Sequence, residues 1–287
     1  GVGAREIGYL FGMYKRQSNE FTGVLTGKGL QWGGTQMRAE ATGYGVVYFA
    51  AEMLAARNDS LEDKTCLVSG AGNVAQHTAE KIIELGGKVL TLSDSSGYIY
   101  DPEGIDSQKL AFVKRLKNLK RGRIQEYVDK YSETTYTEVD TTLDYNPLWT
   151  HRADCAFPCA TENEINQKDA YNLVNNGIRV VCEGANMPCT PEAVELFTHR
   201  ESILYAPAKA ANAGGMAVSG LEMAQNNMRL TWTREEIDKR MKIIIKQIHQ
   251  TCLDAAEQYE YPGNYMVGAN ITGFIKVVDA MLDQGLV

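Results

Sequence analysis

Cys66-Leu67-Val68-Ser69-Gly70-Ala71-Gly72-Asn73-Val74-Ala75 runs an apolar strand straight into G-x-G-x-x-A and then into a helix-like segment. Each small residue has its own task in a dinucleotide-binding turn. Gly70 permits the tight turn, Gly72 lets the backbone approach a pyrophosphate, and Ala75 lets the helix pack on the strand. The free N–H groups and positive dipole end of that helix then face the phosphates. The pattern is short, and glycine turns without a ligand are common, so its context decides. Lys88-Val89-Leu90-Thr91-Leu92-Ser93-Asp94 reads as a second buried strand, ending in an acid at the distance that a ribose-binding carboxylate needs. Val74 to Leu85 has helical spacing, so the order is strand, helix, strand.

With 287 residues, 44% of them hydrophobic, the chain can build one large or two modest domains around a real core. A net charge of −7 gives no global attraction to nucleic acid or to an anionic membrane, and neither partner is expected. No apolar run reads as a membrane span, and Gly1-Val2-Gly3-Ala4-Arg5-Glu6 lacks the pattern of a signal peptide. A start without Met suggests a piece of a longer chain. Cys66, Cys155, Cys159, Cys182, Cys189 and Cys252 are spread through strands and turns, which predicts reduced thiols in a cytoplasmic compartment. Their spacings fit no compact zinc motif, and no metal site is expected.

Outward from the turn, Ala4 to Arg16 sets Ile7, Leu10, Phe11 and Tyr14 on one helical face, and Val24 to Gly29 reads as a short strand breaking into a glycine loop. Thr42 to Asn58 is an amphipathic segment with Thr42 as its N-cap. Gly97 to Gly104 alternates and turns as a small hairpin. Gln108 to Tyr131 reads as one basic helix carrying Lys114, Arg115, Lys117, Lys120, Arg121 and Arg123. Such a charge run is ordinarily a solvated face; the sharper reading is a contribution to an adenosine 2′-phosphate site. Further strands at 154–158, 179–183 and 203–207 alternate with helices, and 216–230, 234–259 and 270–284 are helical. Alternation of this kind predicts an α/β fold with a Rossmann-like, doubly wound, mostly parallel sheet.

Ligands in such sheets bind beyond the carboxyl ends of the strands. Asn186 and Asn212 stand in polar turns there, suited either to hold a carboxamide or ribose edge or to make the turns themselves. No Ser/His/Asp arrangement, H-E-x-x-H or G-x-x-x-x-G-K-[ST] occurs. His77, His151, His199 and His249 have no evident partner in sequence and read as structural. Hydride transfer needs no protein nucleophile, because a cofactor carries the chemistry and the protein positions it.

Gly1-Val2-Gly3-Ala4-Arg5-Glu6, Leu25-Thr26-Gly27-Lys28, Ala41-Thr42-Gly43-Tyr44-Gly45, Ser69 to Ala75, Glu183-Gly184-Ala185-Asn186-Met187-Pro188 and Asn212-Ala213-Gly214-Gly215 occur in this order. Together they closely resemble the hexameric glutamate dehydrogenases of microbial type, from the first residue to Leu286. The resemblance implies oxidation of L-glutamate to 2-oxoglutarate and ammonium by hydride transfer to NAD(P), and the reverse amination. It implies that Thr42, Asn73 and Val74 contact the cofactor beside Gly70 and Gly72, with Asp94 and Ser95 at its adenosine ribose and Asn186 and Asn212 near the nicotinamide. Thr26 and Ser219 would face the substrate.

The resemblance places the catalytic aspartate just before Gly1 and the catalytic and substrate-binding lysines further upstream. Lys28 reads as a loop or cleft residue and Lys209 as a turn residue, so neither replaces them. It divides the chain into the end of a catalytic domain (1–37), a dinucleotide-binding domain (38–258) and a C-terminal helix returning to the catalytic domain (259–287). The segment alone is expected to bind cofactor without turnover, and to self-associate or dissolve poorly through two uncovered apolar surfaces. NADP is expected as cofactor, from the serine hydroxyls of Ser93-Asp94-Ser95-Ser96-Gly97 and the basic segment nearby. NAD is the alternative, since an acid at this place ordinarily pairs with a free ribose hydroxyl. A branched-chain or aromatic amino-acid dehydrogenase and a non-catalytic nucleotide-binding module are the competing functions.

Overall fold

The computed structural model describes residues 2–285. Gly1 of the opening motif, and Leu286 and Val287 at the end of the C-terminal segment, lie outside the described residues. Seven strands form one sheet: β1 (Thr65–Val68), β2 (Lys88–Asp94), β3 (Gly97–Ile105), β4 (Thr135–Glu138), β5 (Cys155–Phe157), β6 (Val180–Cys182) and β7 (Leu204–Ala206), in the order β4-β3-β2-β1-β5-β6-β7. The pairs β2–β1, β1–β5, β5–β6 and β6–β7 are parallel, while β3 and β4 add an antiparallel edge. From β1 the chain winds first toward β2 and later returns to β5, so the carboxyl ends of β1 and β5 flank the crevice where such sheets receive ligands.

The period-2 alternation of short strands divides the core between the two faces. Cys66, Val68, Cys155, Phe157, Val180, Cys182, Leu204 and Ala206 point to one face, and Leu67, Ala156, Val181 and Tyr205 to the other. All are buried, so each large apolar side chain contributes roughly 1.5–3 kcal/mol of transfer free energy. The first face is covered by α2 (Ala41–Ala55) and α3 (Asn73–Glu84), with α8 (Gly214–Met228) and α9 (Arg234–Gln258) behind α2. On the second lie α5 (Gln167–Asn175) and α6 (Pro191–Thr198). The four-residue α7 (Ala208–Ala211) leads from β7 into α8, and α10 (Tyr265–Gln284) packs along α9, its Tyr265 hydroxyl 2.9 Å from His249 Nε2.

Several local expectations are corrected. Val24 to Gly29 is not a strand; Leu25 is left-handed at φ 57°, and Lys28 Nζ donates back to the Val24 carbonyl at 2.9 Å, closing a compact loop. Thr42 lies inside the first turn of α2, and the N-cap is Glu40, without a side-chain cap. The 97–104 hairpin is instead one strand, β3, turning back from β2 at Ser95-Ser96 and pairing on its other side with β4. The basic helix breaks into α4 (Ser107–Arg115), a widened turn over Leu116–Lys120 and a short 3-10 turn over Ile124–Tyr127, because Arg121 adopts a left-handed conformation at φ 55°. Helix α10 starts at Tyr265 rather than Asn270, since the Asn264 side chain caps it by accepting from Val267 N–H.

All six cysteines are free and buried. Where no apolar run reads as a membrane span in the sequence, helix α10 is long and apolar enough by length and composition alone, an 18-residue window of it reaching a mean hydropathy of 1.2. Its exposed Phe274, Val277 and Leu282, with Tyr9, Leu10 and Met13 of α1 (Ala4–Ser18), are the principal uncovered apolar side chains of the two terminal helices.

Candidate cofactor and substrate site

Beyond β1 the chain makes the predicted turn. Gly70 has φ +82°, a value that L side chains rarely adopt, and a Cβ there would stand 3.0 Å from the Cys159 carbonyl oxygen beyond β5. The turn is pinned to β2 because Gly70 N–H donates to Ser93 Oγ at 2.7 Å and Ser93 N–H donates to the Gly70 carbonyl at 3.0 Å. Gly72 precedes α3 and has no capping side chain, so the first N–H groups of the helix have no side-chain acceptor. A Cβ on Gly72 would meet nothing within 4 Å, so the space in front of the helix mouth is open. Ala75 is fully buried, and α3 crosses α2 closely at Gly43, where a Cβ would lie 2.6 Å from Thr78 N and 2.7 Å from the Val74 carbonyl oxygen. Asn73 is exposed, its Nδ2 donating to the Ala39 carbonyl at 2.6 Å, and Val74 lies half-buried beside Gly184.

At the end of β2, Asp94 is fully engaged. Oδ1 accepts from Ser96 N–H at 3.0 Å and from Ser96 Oγ at 2.6 Å, while Oδ2 receives Lys117 Nζ and Ile124 N–H, each at 2.8 Å. Burial disfavours its charge, but the Lys117 ammonium and these hydrogen bonds outweigh burial and hold the carboxyl at about 2. Ser95 is exposed beside it, with Arg123 Nη1 donating to Ser95 Oγ at 2.8 Å. Part of the basic segment therefore folds over the strand end, with Lys117 and Arg123 facing Asp94 and Ser95.

Asn186 and Asn212 lie 26 residues apart and meet: Asn212 Nδ2 donates to Asn186 Oδ1 at 2.9 Å and to the Gly184 carbonyl at 3.2 Å. Thr42 lies close by, since a Cβ on Gly215 would clash with Thr42 Oγ1, and Gly215 N–H donates to the Asn212 carbonyl at 3.4 Å. Across the cleft, Thr26 Oγ1 donates to Ser219 Oγ at 3.0 Å, joining the loop after α1 to α8.

Lys28 is not a free cleft group. Its Nζ lies 2.8 Å from Glu222 Oε1, and neither side chain is exposed. Lys209 belongs to α7 rather than to a turn, and its ammonium donates to Asn270 Oδ1 at 2.6 Å, linking α7 to α10. Among the histidines, His77 and His199 contact the carbonyl oxygens of Asn73 and Glu195, four residues earlier, while His151 stacks on Tyr100 with ring centroids 4.0 Å apart. Burial lowers His249 to about 4, keeping it neutral in the core.

Sequence reasoning missed Arg38. It lines a cleft of about 830 Å³ that Thr26 and Asn73 also border, and its Nη1 lies 3.8 Å from where a Gly215 Cβ would stand. The buried Nε has no hydrogen-bond partner among the described residues. A lone arginine in Thr35-Gln36-Met37-Arg38 carries no local signal, since only the approach of α8 places it in the cleft.

A doubly wound sheet with this turn at its switch point, facing an open helix mouth, defines an α/β protein of the Rossmann class. The chain belongs to the Glutamate/Leucine/Phenylalanine/Valine dehydrogenase family, whose model matches residues 33–285. It is similar to the glutamate dehydrogenase of Bacteroides thetaiotaomicron, with 55% identity over 287 residues, 100% of this chain and 63% of that protein. It is also similar to the NADP-specific glutamate dehydrogenase of Giardia intestinalis, with 53% identity over the same shares. In structure it superposes on Plasmodium falciparum glutamate dehydrogenase with a TM-score of 0.95 and 46% identity, covering 100% of this chain and 60% of that one. The chain thus spans about 63% of the length of the curated relatives it matches.

Proposed function

We propose that the chain is the cofactor-binding part of an NAD(P)-dependent glutamate dehydrogenase, which interconverts L-glutamate with 2-oxoglutarate and ammonium. The observation that carries this reading is the meeting of two half-sites: the Gly70–Gly72 turn with its open helix mouth, and the cleft where Arg38 lies near Thr26 and Ser219. A dinucleotide fits the first half, because a pyrophosphate supplies acceptors for the uncapped N–H groups of α3. Held by Gly70, Gly72 and the mouth of α3, a nicotinamide cofactor would supply the hydride acceptor for oxidation at the glutamate α-carbon.

This chain's residues bind and orient. Thr42, Asn186 and Asn212 hold the carboxamide and ribose edge, with Asn73 and Val74 at the helix mouth. Arg38 supplies the counter-charge for a substrate carboxylate, with Thr26 and Ser219 as hydroxyl partners. A guanidinium there, its Nε without a partner among the described residues, favours a dicarboxylate over a branched-chain or aromatic amino acid. General acid–base chemistry falls to the lysine and aspartate that the resemblance assigns to the part of the relatives this sequence does not span. The segment by itself is proposed to bind cofactor without turnover.

NADP is the proposed cofactor, with NAD as the alternative. Asp94 has both oxygens engaged, whereas Ser95 and Arg123 offer a hydroxyl and a guanidinium to a 2′-phosphate. Titrating the protein with both cofactors, followed by fluorescence, tests the reading. Tighter NADP binding supports it; equal binding or an NAD preference overturns the choice, and binding of neither overturns the function. A cytoplasmic homohexamer is proposed from the resemblance, and native mass spectrometry of the full-length protein checks the assembly.

A further inference from the structure

Gln76 and Asn118 are joined by two hydrogen bonds. Gln76 Nε2 donates to Asn118 Oδ1 at 3.1 Å, and Asn118 Nδ2 donates back to Gln76 Oε1 at 2.9 Å. Gln76 lies in the first turn of α3, is only 1% exposed, and also donates from Nε2 to the Ala71 carbonyl at 2.8 Å. Ala71 is the middle residue of the dinucleotide turn, and Asn118 is the middle residue of the widened turn Leu116–Lys120. The Gln76 amide thus spends both its N–H groups and its oxygen on these two turns.

The widened turn is also held from its other side. Lys117 and Ile124 bond Asp94, Arg123 bonds Ser95, and Lys117 Nζ donates to the Gly122 carbonyl at 2.9 Å. The basic segment is therefore anchored on the end of β2, on the body of α3 through Lys114 and Glu80, and, through an uncharged amide pair, on the pyrophosphate turn. The Lys114–Glu80 ion pair at 2.5 Å sets the distance of α4 from α3, whereas the amide pair joins the widened turn itself to the pyrophosphate turn.

We propose that the Gln76–Asn118 pair is a positioning device for cofactor choice, fixing the spacing between the turn that receives the pyrophosphate and the segment that receives the 2′-phosphate. The inference rests on the 2′-phosphate reading of Ser95 and Arg123 given above. Lysine and arginine side chains lose rotamer freedom when they close on an anion, and a segment already fixed in register loses less. A cofactor without the 2′-phosphate draws no benefit from that register, since Gly70, Gly72 and the mouth of α3 remain as they are. Neither amide is itself a ligand.

Asn118 is solvent-exposed, so Asn118→Ala removes the clasp without opening the core. Gln76→Met removes it from the other side with the volume nearly kept, and the exchanged pair Gln76→Asn with Asn118→Gln restores the reach. NADP and NAD affinities of the full-length protein and each variant are measured by fluorescence titration, with thermal unfolding to confirm the fold. In Asn118→Ala and Gln76→Met, NADP binding is expected to weaken about three- to tenfold, the worth of one or two net hydrogen bonds, while NAD binding changes less than about twofold. The exchanged pair is expected to recover most of the loss. Equal weakening of both cofactors, or no change in either, overturns the positioning role. A wild-type protein without preference for NADP overturns the 2′-phosphate reading as well, whereas a wild-type preference kept by both single variants overturns only the amide pair.

Discussion

Lys28 and Glu222 form an ion pair that is buried at both ends, Nζ standing 2.8 Å from Oε1, between the loop after α1 and the middle of α8. Glu222 Oε2 also accepts from Gly27 N–H at 2.9 Å, so one carboxylate fixes both the side chain and the backbone of the loop that carries Thr26. Removing one partner strands the other charge away from water. Lys28→Met is expected to cost about 3–5 kcal/mol in denaturant unfolding, and Lys28→Met with Glu222→Leu to recover most of it. A loss below about 1 kcal/mol in the single variant would show that the loop is held by other means.

Gly43 and Gly72 separate packing from binding. A Cβ at Gly43 would press on the α3 backbone at 2.6 Å, so Gly43→Ala is expected to lower stability by about 1–3 kcal/mol. Gly72→Ala meets open space and is expected to leave thermal unfolding unchanged while weakening both cofactors. Unaltered cofactor affinity in Gly72→Ala would place the pyrophosphate elsewhere.

Arg38→Met removes from the cleft a guanidinium whose Nε has no hydrogen-bond partner among the described residues. A hydrogen bond to a charged group is worth about 1.5–3 kcal/mol, so KM for glutamate in the full-length enzyme is expected to rise about ten- to hundredfold with cofactor affinity unchanged. A rise in cofactor Kd with KM unaffected would move Arg38 to the cofactor's side of the cleft.

Glu164 and Asp94 titrate in opposite directions. Burial raises the Glu164 carboxyl to about 7, against the lowering effect of Ser69 and of the Ala160 and Thr161 N–H groups. Its folded-state value exceeds its unfolded value of 4.5, so the fold binds the extra proton, and stability is lost as pH rises from about 4.5 through 7. Asp94, held at about 2, acts inversely: its contribution is present above the unfolded value of 3.8 and is lost as pH falls through 2. Comparing thermal unfolding of Glu164→Gln with wild type from pH 4.5 to 8 is expected to show a flatter profile in the variant. Parallel profiles would mean that Glu164 is ionised throughout.

The regular parts of the fold were legible wherever the signal was local. The continuous apolar runs of Cys66–Val68 and Val180–Cys182 and the helical spacing from Val74 to Leu85 report on neighbours within a few residues. The basic stretch after Gln108 was misread as one helix because Arg121 is a good helix former by propensity, while the contacts that bend the chain there come from Asp94, more than twenty residues earlier. Strand β4 escaped for a related reason. Thr135–Glu138 is a short edge strand with half of its residues exposed, and only its pairing with β3 defines it.

By itself the sequence determined the dinucleotide turn, the alternation that yields a parallel sheet and the motif order that marks the family, because glycine requirements and apolar periodicity are properties of adjacent residues. Only the tertiary structure decided which charges are spent and which are free. Lys28 and Asp94 are consumed by Glu222 and Lys117, from 194 and 23 residues away, while the Nε of Arg38 has no hydrogen-bond partner among the described residues. An ionisable side chain acquires its role from the dielectric and the partners that folding brings to it, and neither is written in its immediate neighbours.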